Sequence, residues 1–242
     1  MLTLGLRGKV SSELSATESA WSLKVSTDQS EYQSGLVAYQ ERDFEKALRH
    51  WRPLADRGHS DSQAWLGAMN FNAEGVPLSY ELAAAWYRKA AESGNVFAQN
   101  NLATMYAGGQ GVERDLAEAA RWLTSAAERG DPFALFNLAS MYDQGNGVEK
   151  DLRKAADLYR KAAELGNVQS QMRLGYMLAK GIGVQTNRVE AFLWLSLAAH
   201  HGIGTALIEL ESIVEAMSAE ERHQGQRLLE ARRSKSPLRR PG

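Results

Sequence analysis

The chain has 242 residues, 44% hydrophobic and 24% charged, a balance that excludes a disordered polymer and suffices for a buried core. Its 28 basic and 29 acidic residues leave a net charge of −1, so no global field draws it to nucleic acid or to an anionic membrane. Cysteine is absent, which removes disulfides, thiolate catalysis, cysteine-bound metal and a lipid-modified cysteine anchor together.

The first stretch, "MLTLGLRGKVSSELS", has Arg7 and Lys9 breaking its apolar run, which is shorter than the roughly 7–15 residues of a secretory core region. No apolar run approaches the roughly 20 residues of a membrane helix. The expectation is a cytoplasmic protein, or a periplasmic or secreted one should the natural start lie upstream. Residues 1–29 lack periodicity and are expected to be irregular. Residues 30–61 contain "GLVAYQERDFEKALRHW", the spacing of a tetratricopeptide-like first hairpin with a short connecting loop.

From there a step of 36 residues organises the chain. Gly58, Gly94, Gly130, Gly166 and Gly202 fall on it, as do Leu66, Leu102, Leu138, Leu174 and Leu210. Ala47, Ala83, Ala119, Ala155 and Ala191 form another series, Met69, Met105, Met141 and Met177 a further one, and Val76, Val112, Val148 and Val184 one more. Each unit carries two helical stripes: Ala98, Leu102, Met105 and Tyr106, then Ala119, Trp122, Leu123, Ala126 and Ala127.

Asp43, Ser79, Asp115, Asp151 and Asn187 stand where each second helix opens and are able to accept an orphan backbone N–H. Asp115 with Glu118, and Asn187 with Glu190, have capping-box spacing. The glycine series follows each second helix, where a left-handed residue is needed, and Asn95, Asp131 and Asn167 lead into the next first helix. Four such units cover 62–202. Residues 203–233 then predict two capping helices, with a Ser218–Glu221 box, and 234–242 a flexible basic tail. The fold expected is all-α, a solenoid of stacked helix-turn-helix repeats with a C-terminal capping pair.

The residues Ala98, Leu102, Tyr106, Gly109, Gly111, Val112, Asp115, Ala119, Trp122, Ala126, Ala127 and Gly130 form a pattern that resembles the Sel-one-like repeat (SLR) family, relatives of tetratricopeptide repeats with a longer loop inside the hairpin. The resemblance implies a right-handed superhelix whose first helices line a concave face, and an adaptor role in assembling complexes. Some members of a secreted, cysteine-rich branch of the family bind penicillin-like compounds. Without cysteine, this chain is not expected to carry over that branch's activity. The first full unit departs from the pattern, with "NAEGVPLS" in place of the G-x-G-V loop.

Glycine-rich turns such as "GGQGV" raise a phosphate-binding reading, but no strand precedes them, no lysine-serine or lysine-threonine pair follows, and the feature recurs. His200 and His201 diverge by about 100° on a helix end and do not share a metal, and His50, His59 and His223 have no ligand spacing. No catalytic residue, metal site or cofactor is expected, and the tail from Arg232 to Arg240 reads as a solvated end. Trp86, Trp122 and Trp194 recur at the repeat step as core anchors.

The residues expected on a concave face are Tyr32, Leu36, Tyr39, Phe71, Asn100, Thr104, Phe136, Ser140, Met172 and Tyr176. They vary between repeats while the buried positions hold, as a scaffold with an individual binding surface would require. Rings bury area and Asn100 is suited to bond a peptide backbone; the same rings would also serve packing against the adjacent repeat. The function expected is a non-catalytic scaffold that binds a peptide or partner helix in the groove, monomeric by default. The alternative is a regulator or assembly factor acting through the convex face, caps or tail, and after it a hydrolase like those of the cysteine-rich branch.

Overall fold

A computed structural model describes residues 27–235, which form twelve helices and no strand. Helix α1 covers residues 27–40, followed by α2 (Phe44–Asp56), α3 (Ser60–Asn72), α4 (Tyr80–Glu92), α5 (Val96–Gly108) and α6 (Leu116–Glu128). Then come α7 (Pro132–Gln144), α8 (Leu152–Glu164), α9 (Val168–Lys180), α10 (Arg188–His200), α11 (Gly204–Ala216) and α12 (Ala219–Lys235). The chain divides into two compact units. Unit 1 runs through Ala98 and takes in Gln110–Val112; unit 2 comprises Gln99–Gly109 and continues from Glu113. Within unit 1, α3 packs on α2 and α4; within unit 2, α6 through α11 pack consecutively and α12 lies on α10.

The second helices start where the capping residues stand. The side chains of Asp43, Ser79, Asp115, Asp151 and Asn187 each accept a backbone N–H three residues on, which satisfies one of the donors that a helix start leaves orphaned. Two of the expected boxes are half formed. Asp115 accepts from Glu118 N–H at 2.9 Å while the Glu118 carboxylate turns to Arg121, and Asn187 accepts from Glu190 N–H at 3.0 Å while the Glu190 carboxylate takes the Trp194 indole N–H. The Ser218–Glu221 box is reciprocal, with bonds of 3.1 and 2.7 Å. First helices are capped too: Asn95, Asp131 and Asn167 serve α5, α7 and α9, and the His59 Nδ1 serves α3.

The expected glycines after each second helix all take positive φ. The loop inside each hairpin has a left-handed residue at its start, Gly145 after α7 and Gly181 after α9, and the divergent "NAEGVPLS" keeps that geometry with Ala73 at φ 58 and ψ 39. The loop shape therefore survives the substitution, with a methyl group where the backbone favours none.

Two apolar clusters hold the units. In unit 1, Trp51, Leu54, Leu66 and Met69 are almost fully buried. In unit 2, Tyr159, Leu174, Met177 and Leu195 are buried with a run of alanines that brings the helices together. Each such large apolar side chain contributes roughly 1.5–3 kcal/mol. Gly67 and Gly175 make room inside their hairpins: a methyl group there would lie 2.6 Å from the Tyr87 ring or 2.7 Å from Leu195 Cγ. Trp86 and Trp194 are buried as anchors, whereas Trp122 is buried only in part.

Two boundaries differ from the sequence expectation. Residues 27–29, placed in the irregular N-terminal segment, are helical, and α12 runs on through residues 234–235, placed in the tail. Arg232 does not belong to a free end: it donates to the Glu164 carbonyl at 3.0 Å and covers the Trp194 ring at 4.7 Å, which anchors the last helix. Residues 1–26 and 236–242, including the rest of both expected terminal segments, lie outside the described residues. Among the described residues no helix is long and apolar enough to cross a membrane.

Candidate functional site

Four of the expected groove residues belong to unit 1, and three of them are used in packing. Tyr32 accepts at its carbonyl from the Trp51 indole N–H at 3.2 Å and at its hydroxyl from the Trp65 N–H at 3.0 Å. Leu36 packs against the buried cluster. Tyr39 lies 4.7 Å from the Trp65 ring and donates its hydroxyl to Glu74 Oε2 at 2.6 Å. Burial and the neighbouring Glu74 carboxylate push the Tyr39 phenol up to about 12, so it stays a neutral donor. These three residues tie α1 to α2 and α3 by packing, ring contacts and hydrogen bonding. Phe71 is half-buried against Tyr80, with centroids 5.2 Å apart.

The other six belong to unit 2. Asn100 donates its amide to Asp131 Oδ1 at 2.5 Å, and Asp131 is the N-cap of α7, accepting from Ala134 N–H at 2.7 Å. The Asn100 side-chain carbonyl is buried without a donor. The residue expected to bond a partner's backbone thus braces a helix start instead. Phe136 is partly buried, 5.8 Å from Tyr159, and Met172 packs on the same cluster. Thr104 is exposed, with its hydroxyl donating to the Asn100 carbonyl at 3.0 Å. Ser140 accepts from the Gln144 amide at 2.7 Å and stands beside the Tyr159 hydroxyl. Tyr176 is half-exposed between two cations, Arg173 and Lys180, each 5.9 Å from its ring.

The sequence reading missed the charges around Tyr176. Arg173 of α9 pairs with Asp143 of α7, and Lys180 of α9 pairs with Glu209 of α11 at 3.4 Å. Partial burial would lower the Arg173 pKa, but the Asp143 hydrogen bond and charge outweigh it and the value is raised, so the guanidinium stays charged. Burial raises the Tyr159 pKa, and Arg173 opposes that rise. The signal was present in the register: Asn101 and Asn137 precede Arg173 at the repeat step. The result is a surface of first helices in unit 2 on which Thr104, Ser140 and Tyr176 remain accessible around a ladder of ion pairs. Its accessible groups are hydroxyls, one phenol and fixed charges.

Residues 30–59, 60–95, 96–131, 132–167 and 168–203 each match the family model described as Sel1 repeat. The first match falls on the hairpin set apart above as tetratricopeptide-like, so the repeats number five. The structure resembles a protective antigen present in uropathogenic Escherichia coli strains that displays an SLR fold, with 34% identity and a TM-score of 0.74. That likeness covers 79% of this chain and 42% of the antigen, so the chain spans less than half of that protein's length. It also resembles a Sel1 repeat protein from Oxalobacter formigenes, with 29% identity over 74% of each chain and a TM-score of 0.70. No curated protein matches the chain in sequence.

Proposed function

Because the chain belongs to the Sel1 repeat family, whose members generally act as non-catalytic protein-interaction repeats, we propose that it is a scaffold that holds a peptide segment or partner helix on its first-helix face. One observation carries the reading. At one register position of unit 2 the accessible residues are Thr104, Ser140 and Tyr176, three different side chains, whereas two residues earlier the register is the buried and invariant Leu102, Leu138 and Leu174. Constancy inside with variety outside is what a shared frame with an individual surface requires. A partly exposed phenol flanked by fixed cations supplies contact area and hydrogen bonding at small entropic cost, as interface hot spots do.

The exposed Thr104 and Tyr176 make the discriminating variants, since Asn100 and Phe136 support the fold. Affinity capture on the full chain should retain a protein partner that a Thr104→Arg, Tyr176→Ala double variant loses while its helicity and melting point stay unchanged. A partner held equally by both forms would overturn the reading.

A further inference from the structure

Two second helices, α4 and α10, share one packing arrangement that α8 lacks. In unit 1, Trp86 of α4 is 8% exposed beneath two cations: Lys89 Nζ lies 4.3 Å from its ring centroid and the Arg52 guanidinium of α2 lies 5.2 Å away. In unit 2, Trp194 of α10 is 3% exposed, with Arg232 4.7 Å over its ring. Its indole N–H donates to Glu190, which Arg160 of α8 also engages. Arg160 is the register equivalent of Arg52. Between these two hairpins the pattern fails twice. Leu158 stands where the tryptophan belongs and Thr124 stands where the arginine belongs, while Lys161 keeps the place of Lys89.

A cleft of about 580 Å³ opens at that place between α6 and α8, with Thr124, Leu158 and Lys161 on its walls and Leu135 and Leu138 of α7 at its base. The two smaller residues account for it, since neither reaches as far as the side chain it replaces. The cations at its edge differ. Lys154 is committed to Tyr142, with Nζ donating to the hydroxyl at 2.7 Å and lying 4.2 Å from the ring. The Lys161 ammonium has no ion pair or hydrogen bond among the described residues.

We propose that this cleft is a docking site for an aromatic side chain of a protein partner, tryptophan by preference. The incoming ring would take the place that Trp86 and Trp194 fill from within the chain. Leu135, Leu138 and Leu158 would bury its faces, and Lys161 would lie over it as Lys89 lies over Trp86. Glu128 and Glu164, also on the walls, supply acceptors for an indole N–H, as Glu190 does for Trp194. That acceptor set favours tryptophan over phenylalanine. The site opens between the second helices α6 and α8, with the α7 leucines beneath, and uses none of Thr104, Ser140 or Tyr176, so it does not depend on the reading above.

The test is a ¹H–¹⁵N NMR titration of the full chain with N-acetyl-tryptophanamide, with N-acetyl-leucinamide as comparator. Saturable shifts are expected at the Leu135, Leu158 and Lys161 amides, with the leucine compound at least about tenfold weaker. Thr124→Arg restores at an exposed position the arginine of the other repeats and should weaken binding by about tenfold with signal dispersion unchanged. Leu158→Trp should fill the cleft from inside and abolish the shifts; should that variant lose its dispersion, Thr124→Arg decides alone. Absence of saturable shifts at those amides, equal binding of the two compounds, or an unchanged titration in Thr124→Arg would each overturn the proposal. So would shifts at the same amides that follow protein concentration instead of added tryptophan, which would assign the cleft to a second copy of the chain.

Discussion

Gly147 and Leu116 meet backbone to backbone: a methyl group on Gly147 would lie 2.3 Å from the Leu116 carbonyl oxygen. The next hairpin repeats the contact, with Gly183 as close to Leu152. The second glycine of each G-x-G loop thus seats on the first residue of the second helix in the hairpin before, where any side chain would collide with main chain that has nowhere to move.

Gly147→Ala and Gly130→Ala should therefore separate two costs. Gly130 has φ 79 with nothing within 4 Å, so alanine there costs only left-handed strain, about 1 kcal/mol. Gly147→Ala adds the collision and should cost about 3 kcal/mol or more. Urea denaturation of both variants measures the difference. Equal losses would show that the seat yields.

Ala73→Gly should stabilise the protein by about 1 kcal/mol, because it removes the Cβ from a residue held at φ 58. A raised urea midpoint with an unchanged slope is the expected result. No change would mean that the gain in native backbone ease is cancelled by the freer unfolded chain.

Tyr39 predicts an alkaline limb. Its folded pKa of about 12 stands above the ordinary 10.0, so the fold favours the neutral phenol. Its contribution is fully present below about pH 10 and is lost as pH rises through about 12. Tyr39→Phe should cost about 1 kcal/mol at neutral pH through the lost bond to Glu74 and should flatten the stability curve in that window. Chemical denaturation at stepped pH measures both. An unchanged alkaline slope in the variant would assign the limb to another phenol, with Tyr87 next because burial raises it further.

Asn100→Ala should destabilise unit 2 by about 1–2 kcal/mol, since it withdraws the brace from Asp131 at the start of α7. Hydrogen exchange at the first turn of α7 should accelerate most. Faster exchange spread evenly over α5 to α8 would instead point to a packing loss at Asn100 itself.

The second-helix starts were legible in the sequence because a cap is a local device: Asp151 and the Lys154 N–H that it bonds are three residues apart, and composition announces them. The roles of Tyr32 and Asn100 were not legible, because their partners Trp65 and Asp131 lie 33 and 31 residues away and come within reach only after hairpins stack. Variation at these positions looked like surface specificity, yet Tyr32 serves the packing of α1 on α3 and Asn100 braces a cap. Arg173 and Leu158 form a third class. Both break the repeat and so were visible as departures, but what a departure does depends on the neighbour that it meets: Asp143 in one case, empty space beside Thr124 in the other.

The seating of Gly147 on Leu116 and of Gly183 on Leu152 makes the length of unit 2 countable in whole hairpins. Excision of residues 132–167 would bring Gly183 to the place that Gly147 leaves, over Leu116. Excision of one residue more or fewer would put a side chain where the bare backbone must go. A gene that encodes such a chain can lengthen or shorten by recombination between its own repeats and still specify a folded product, provided that each exchange keeps the 36-residue frame.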